Sequence, residues 1–581
     1  MPCGAQPLAR RLQGESATLR NWQPAGTTDT ARPMAEPSSR SRAHPLLTTP
    51  RFSQKMTTNY NLAGAIHRHG LHTPDAVAVA YKGQSVSYRG LSQRAARLAQ
   101  ELRRSEHWQG DDGQPPRVGI LASRGIDACV ALLGTCWAGA TYVPIGLKLP
   151  EERMLTILSL CKLTAIVADA DGAKLLSERL RAACPPVLIC SANDAVREEI
   201  DVIAAAGEAL LPDLADAPMP MAGSDLAYII FTSGTTGVPK GVMISAAAAR
   251  HYAQMISRLL DLRASDRALE TCELTFDFSV HNMFSTWEAG AALHILPATV
   301  VMNAVKFVRN AKLTVWNSVP SLVGMLRQLK TLHPDSLESL RVTVFGGEAL
   351  PEGTVAAWRV AAPNTAIFNL YGPTEATVFC LGQEVADDTP ITAGRDFIAI
   401  GTPLPGNEAM IVDGNMQTAP GGESGELAVA GVQLADGYLN DPQMTAARFP
   451  TIHGKRWYLT GDLASVDAAG IFHCLGRLDN QVKVLGYRVE LEEVDAHLRA
   501  VSGIDLVGAV AWPTVDGMAR GIVGFLGARA VDSVQLIREI KTRLPAYMVP
   551  NQLIALETVP LNQSGKVDRQ ALRRLLDKDP A

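Results

Sequence analysis

The chain has 581 residues, 47% of them hydrophobic and 19% charged, with a formal net charge of -4. At roughly 150 residues per domain, that length suggests several units with sizeable cores, and the charge balance excludes the basic footprint of a nucleic-acid binder. No apolar run approaches the ~18 residues of a membrane span. The 9 cysteines form no Cys-x-x-Cys pair, which reads as the reduced thiols of a cytoplasmic protein and not as a disulfide framework or zinc site.

Residues 1–56 are rich in Arg, Ser, Pro, Ala and Thr, with Glu15, Asp29 and Glu36 as their acids. They show no apolar periodicity, so a disordered tail is expected, or sequence ahead of a true start near Met56; a targeting peptide is the alternative. From Tyr60 onward, short apolar runs alternate with helical stretches. Strands are expected at 118–122, 165–168 and 186–189, and a helix over 125–138. Such alternation implies βαβ units and parallel sheets. The apolar run 226–231 reads as a further buried strand. An Ala-rich helix is expected over 245–260, which would put the intervening loop near a helix N-terminus. Around 398–438, short runs separated by Gly and Pro suggest a β-rich subdomain. A last unit begins after Gly476-Arg477-Leu478-Asp479, with helices expected at 491–501 and near 533–543, and strands at 508–511 and 522–526.

The loop after the strand at 226–231 reads Thr232-Ser233-Gly234-Thr235-Thr236-Gly237-Val238-Pro239-Lys240-Gly241. Glycines let backbone N–H groups approach an anion, hydroxyls add donors and the lysine adds a point charge. That chemistry suits a polyphosphate, although the spacing is not the Walker pattern. Further motifs follow in order: Val344-Phe-Gly346-Gly347-Glu348, Asn369-Leu370-Tyr371-Gly-Pro-Thr374-Glu375, Gly461-Asp462, Arg477-Leu-Asp479, Lys483-Val-Leu-Gly486-Tyr-Arg488, and Ser564-Gly565-Lys566. This ordered set resembles the adenylate-forming superfamily, and within it the amino-acid adenylation domains of nonribosomal peptide synthetases, over residues 60 to 575.

The resemblance implies an α/β fold. A large N-terminal domain (57–478), made of two α/β sheet subdomains and a β-rich one, would be joined to a small mobile α+β domain (479–581). It implies attack of a carboxylate on the α-phosphate of ATP, a reaction that needs charge neutralisation more than covalent help. By resemblance, Thr232 to Lys240 hold the β- and γ-phosphates, Thr374 meets the α-phosphate and Glu375 holds Mg²⁺, a hard cation suited to carboxylate and phosphate oxygens. Tyr371 stacks on adenine near Asn369, Gly347 and Glu348, while Asp462 and Arg477 hold the ribose. Lys566 bridges the substrate carboxylate and ATP. Asp479 is the hinge, after whose rotation Lys483 and Gly486 face the site for thioester formation. Cys474 stands where the family often has an aromatic, and Ser465 where it often has Arg.

Asp277 is the residue that, by resemblance, pairs with a substrate α-ammonium; a buried carboxylate wants such a partner, and the alternative is a helix cap. The implied pocket adds Phe278, His281, Asn317, Val344, Gly346, Leu370, Val378 and Phe379, a pattern similar to threonine-activating pockets. His281 and Asn317 either bond a substrate hydroxyl or bond each other. In the second case, a small aliphatic amino acid such as alanine fits. The expected activity is adenylation of a small amino acid, followed by transfer to the phosphopantetheine thiol of a separate carrier protein by a stand-alone enzyme, with ATP and Mg²⁺ as cofactors and no nucleic-acid or membrane partner. A D-alanine–carrier protein ligase, an acyl- or aryl-CoA synthetase, and a non-catalytic binding protein on the same fold are the alternatives.

Overall fold

The computed structural model describes residues 59–105, 108, 110, 113–185, 187–189, 216–234, 238–419, 421–515, 518–562 and 567–578. Among these, two large sheets carry most of the chain. The first has seven strands in the order Gly437–Tyr438, Lys240–Ser245, Leu226–Thr232, Thr141–Pro144, Arg117–Leu121, Ala165–Ala168 and Val187–Ile189. Its strands Leu226–Thr232, Thr141–Pro144, Arg117–Leu121 and Ala165–Ala168 are parallel, with helices such as Ile126–Trp137 and Glu151–Cys161 linking them. They are buried on both faces, which is why they read as continuous apolar runs. The second sheet has nine strands, with the parallel set Arg267–Glu270, Val315–Ser318, Val342–Gly346 and Ala366–Tyr371 at its centre. The α/β arrangement of largely parallel sheets expected from the sequence is therefore present.

One local expectation is corrected. The strand Leu226–Thr232 pairs antiparallel with Lys240–Ser245, so the Ser/Thr/Gly loop is the turn of a β-hairpin. The helix begins only at Ala246, capped by the Ser245 hydroxyl accepting from the Ala248 N–H at 3.2 Å, at the far end of the second strand. The loop is thus not seated on that helix's N-terminus.

The β-rich stretch forms an antiparallel sheet of Asn407–Val412, Gly425–Gly431, Tyr458–Val466 and Phe472–Arg477. Beyond it, the hairpin of Gln481–Val484 and Tyr487–Glu490 leads into the helix Leu491–Ser502. Two apolar clusters, one around Val489, Leu498, Ile522 and Met548 and one around Val510, Phe525 and Leu572, draw only on residues after 481. The C-terminal segment therefore has a core of its own. No helix among the described residues is long and apolar enough to cross a membrane.

Candidate active site

The carboxyl ends of parallel strands are where open α/β sheets place their ligands, and the second sheet delivers its key residues there. Asn317 pairs across the strands with Val344, and Gly346 with Leu370. A cavity of about 210 Å³ opens above these ends. Its lining joins Asp277, Phe278, Leu370, Val378 and Phe379 to Gly347, Glu348, Asn369, Tyr371, Thr374, Asp462 and Arg477, and then to Lys483 and Gly486 from the C-terminal hairpin. Most of the residues selected from sequence thus converge on one space. Thr235, Thr236, Gly237 and Lys566 lie outside the described residues.

Asp277 sits one residue before the helix Phe278–Glu288, yet its side chain makes no capping bond. It accepts from Thr374 instead, and no ion pair to it occurs among the described residues. Only 8% exposed, its carboxyl is pushed up to about 6, chiefly by burial; the Thr374 bond pulls it down and the Glu375 charge pushes it up. Glu375 behaves oppositely. Burial raises it, but Arg488 at 2.8 Å and a hydrogen bond from the Tyr438 hydroxyl at 2.8 Å win, holding it at about 2. An ionised carboxylate held this firmly fits a hard divalent cation. No cluster of three ligating side chains surrounds it among the described residues, so most of a cation's ligands would come from phosphate and water.

On the opposite wall, the Tyr371 hydroxyl donates to Asp462, which also accepts from Arg477 at 3.0 Å. Arg477 in turn grips Asp479 through two bonds of 2.8 and 2.6 Å. The Asn369 side-chain amide donates to the Ala399 carbonyl at 2.8 Å, and Glu348 accepts from the Ser321 N–H at 2.9 Å. Lys483 keeps accessible surface because it projects into the cavity; the protein around it lowers its pKa by desolvation, against the charges of Asp462 and Glu348. Gly486 adopts φ +85°, which strains any residue with a Cβ, and a Cβ there would lie 3.2 Å from Val319, so glycine is favoured at the hairpin tip.

The described part of the Ser/Thr/Gly loop is engaged by the C-terminal segment. The Ser233 hydroxyl donates to the Arg488 carbonyl at 3.0 Å, the Gly234 N–H to Glu493 at 3.0 Å, and Lys240 lies 4.0 Å from Glu490. The Thr232 hydroxyl is buried without a hydrogen-bond partner among the described residues.

The side-chain pocket ends in aromatic rings. Phe278 and Phe379 meet edge-on with centroids 5.1 Å apart, and Phe379 lies over Gly346, where a Cβ would come within 2.4 Å of the ring. His281 and Asn317 stand behind this wall, fully buried, and do not line the cavity. His281 also makes a 2.7 Å hydrogen bond between its Nδ1 and the Tyr252 hydroxyl, a contact that neither alternative included. Burial lowers the His281 pKa to about 3, against a raising side-chain interaction with Asn317; by strict geometry the Nε2 of His281 and the Oδ1 of Asn317 complete no hydrogen bond among the described residues.

Sequence reasoning missed Tyr252, Arg153, Glu493 and Gln433. The last explains how the wall is held. Thr377 and Val378 adopt φ of +54° and +70°, unfavourable for β-branched residues. The buried Gln433 amide donates to the carbonyls of Ala376, Thr377 and Phe379 at 3.2, 3.3 and 2.8 Å, and its oxygen accepts from Asn407 at 2.7 Å. Such strain persists only where the surroundings over-determine it.

A second cavity of about 590 Å³ is lined by Asp277 and Thr374 together with Arg124, Lys148, Phe231 and Tyr487. Tyr487 stacks on Tyr547 at 4.1 Å.

The fold, the convergent site and the order of its motifs define an adenylate-forming enzyme. The model of the AMP-binding enzyme family matches residues 66–439, and the chain belongs to that family. Over 510 residues it is 33% identical to tyrocidine synthase 3 of Brevibacillus parabrevis, covering 86% of this chain and 7% of that one. It is 30% identical to the delta-poly-L-ornithine synthetase of Acinetobacter baumannii (strain AB307-0294), covering 86% of this chain and 35% of that one. The chain thus spans a minor part of the curated relatives' length. Among solved structures, the Vibrio cholerae adenylation domain AlmE in complex with glycyl-adenosine-5'-phosphate superposes with a TM-score of 0.80 at 28% identity, over 90% of this chain and 99% of that one. The chain is similar to the adenylation domains of nonribosomal peptide synthetase systems.

Proposed function

We propose that the chain condenses a small amino acid with ATP to give an aminoacyl-AMP and pyrophosphate, then transfers the acyl group to the phosphopantetheine thiol of a carrier protein. The observation that carries this reading is Asp277. It is a buried carboxylate without an ionic partner among the described residues, at the junction of the apolar pocket and the Thr374–Glu375 turn. An α-ammonium supplies the missing charge; a fatty or aryl acid does not.

In the first step, the substrate carboxylate attacks the α-phosphorus and the bond to the β-phosphate breaks. Asp277 holds the ammonium, Thr374 meets the α-phosphate, and the Ser233–Gly234 turn with Lys240 binds the outgoing pyrophosphate. Tyr371 stacks on adenine beside Asn369, Gly347 and Glu348, and Asp462 with Arg477 orients the ribose. Glu375 would hold Mg²⁺, which supplies charge neutralisation at the phosphates when bound. Lys566 is assigned to the substrate carboxylate in this step. In the second step, the thiol sulfur attacks the acyl carbon, the acyl–phosphate bond breaks and AMP leaves. The channel past Arg124 and Tyr487 gives the pantetheine arm its route, and the hairpin carrying Lys483 and Gly486 belongs to this arrangement. The change between arrangements is a rotation of 479–581 on Asp479.

The aromatic wall at Phe278 and Phe379 supports a side chain of glycine or alanine size, and glycine is what the superposing Vibrio structure carries. One observation favours a second reading, threonine: the uncompleted polar atoms of His281 and Asn317 would accept a hydroxyl once Phe379 turned aside. Amino-acid-dependent ATP–pyrophosphate exchange over glycine, L- and D-alanine, threonine, valine, aryl acids and fatty acids, with Lys566→Ala as control, tests both. Exchange confined to non-amino acids overturns the Asp277 argument.

A further inference from the structure

We infer that Glu493, together with Arg488 and Glu490, is an internal stand-in for magnesium pyrophosphate. These side chains engage the Gly234 N–H, the Glu375 carboxylate and Lys240, so the arrangement described here and a bound triphosphate exclude each other. The inference rests on the assignment of Ser233, Gly234 and Lys240 to the phosphates. Its substance lies in the chemistry of the replacements. A carboxylate accepts from the Gly234 N–H where a phosphate oxygen would, at 3.0 Å. A second carboxylate lies 4.0 Å from Lys240. A guanidinium neutralises Glu375 at 2.8 Å, where a divalent cation would. Each donor or charge in this cluster thus meets a group of the sign it would meet in the nucleotide complex, supplied by a single stretch of the C-terminal unit.

Glu493 is the residue that makes the substitution selective. It is fully buried, and its other oxygen is paired with Arg153, itself buried on the helix Glu151–Cys161 of the large unit. A buried carboxylate stripped of its cation is strongly disfavoured, so Glu493 is stable only when seated against both Arg153 and Gly234. It lies in the first turn of the helix Leu491–Ser502, whose positive end adds to the preference for an anion there. Departure of pyrophosphate therefore frees the sites that Glu493, Glu490 and Arg488 occupy, and added pyrophosphate displaces them. Glu493 acts here as a positioning residue: it touches no reacting atom.

Two experiments on the full chain test this. In the first, Glu493→Gln is assayed in both half-reactions. Aminoacyl transfer to a pantetheine thiol is expected to fall about tenfold or more. The KM for ATP in exchange is expected to fall about threefold or more, because apparent affinity scales with the fraction of protein in the competent arrangement. A merely structural Glu493 would slow both half-reactions and leave the KM for ATP unchanged or raised, and that result overturns the inference. The second experiment needs no variant and stands if Glu493→Gln does not fold. Deuterium uptake over residues 486–502 of the wild-type protein is compared without and with Mg²⁺ plus inorganic pyrophosphate. Increased uptake supports the displacement; unchanged uptake in a protein that does catalyse exchange sinks this inference alone. Absence of exchange with every acid sinks the phosphate assignment and this inference with it.

Discussion

Replacing Asp277 with Asn should make the protein more stable and nearly inactive. The carboxyl has a folded-state pKa of about 6 against 3.8 for the free group, with burial as the leading cause. A raised carboxyl pKa means that the folded state binds more protons between those two values. Stability contributed through this group therefore falls as pH rises from 3.8 through 6, and the penalty is fully developed above 6. A difference of about two pKa units corresponds to about 3 kcal/mol. Asn keeps an oxygen to accept from Thr374 but carries no charge, so the variant should gain stability of that order at pH 7 and almost none at pH 4. Thermal or denaturant melts across pH read this directly. In amino-acid-dependent exchange, the same change leaves the substrate ammonium buried without its partner, a loss of about 3 to 5 kcal/mol, or at least about 100-fold in kcat/KM. A variant less stable than wild type at pH 7, or one that retains full exchange, refutes the reading of Asp277 as an unpaired substrate carboxylate.

Phe379→Ala should cost about 3 to 5 kcal/mol of stability and extend exchange to threonine and valine, because the ring closing the pocket over Gly346 is gone. If His281 and Asn317 then bond a hydroxyl, threonine should exceed valine by about tenfold or more in kcat/KM; equal rates exclude a polar seat there. Gln433→Leu leaves three carbonyls and the Asn407 amide without their buried partner. It should cost about 2 to 4 kcal/mol in a urea melt and broaden the amino-acid preference as Val378 and Phe379 relax; an unchanged preference would separate Gln433 from the pocket. Lys566→Ala should abolish exchange while leaving thiol transfer from supplied aminoacyl-AMP within about threefold of wild type, since the barrier it lowers belongs to the first step; equal losses in both steps would contradict that division.

The sheets were legible because their inner strands bury both faces and so read as short apolar runs set between helical stretches. The loop was legible as chemistry, but its setting was not. Lys240–Ser245 carries no strong strand pattern, and only its antiparallel partner Leu226–Thr232 makes it a strand. Asp277, Thr374, Glu375 and Asp462 stand in recognisable local motifs, and Asp277, Thr374 and Asp462 line one cavity. Tyr252, Gln433, Arg153 and Glu493 did not, because what they do is defined by distant partners. Arg153 meets Glu493 across 340 positions, and Gln433 meets Phe379 across 54. Val378, β-branched and at positive φ, contradicts its own preference, and nothing local could have predicted it.

The pocket and the phosphate loop differ in how each deals with an uncompensated charge, and that difference bears on the order of events. Asp277 forms no ion pair among the described residues and is raised toward neutrality by burial, against the weaker pull of the Lys483 and Arg488 charges, so on the proposed function an ammonium would remove an electrostatic cost. Glu375 and the Gly234 N–H are instead satisfied from within, by Arg488 and Glu493. In this arrangement the amino-acid side of the site is therefore open to its ligand, while the phosphate side is closed by the chain itself. On the proposed function, that asymmetry suits an enzyme that holds an acyl-adenylate after pyrophosphate has gone: an ammonium contact at Asp277 would persist through both steps, whereas the phosphate contacts would be surrendered between them. A C-terminal segment carrying its own two carboxylates and guanidinium keeps the Gly234 N–H, Lys240 and Glu375 partnered in the arrangement described.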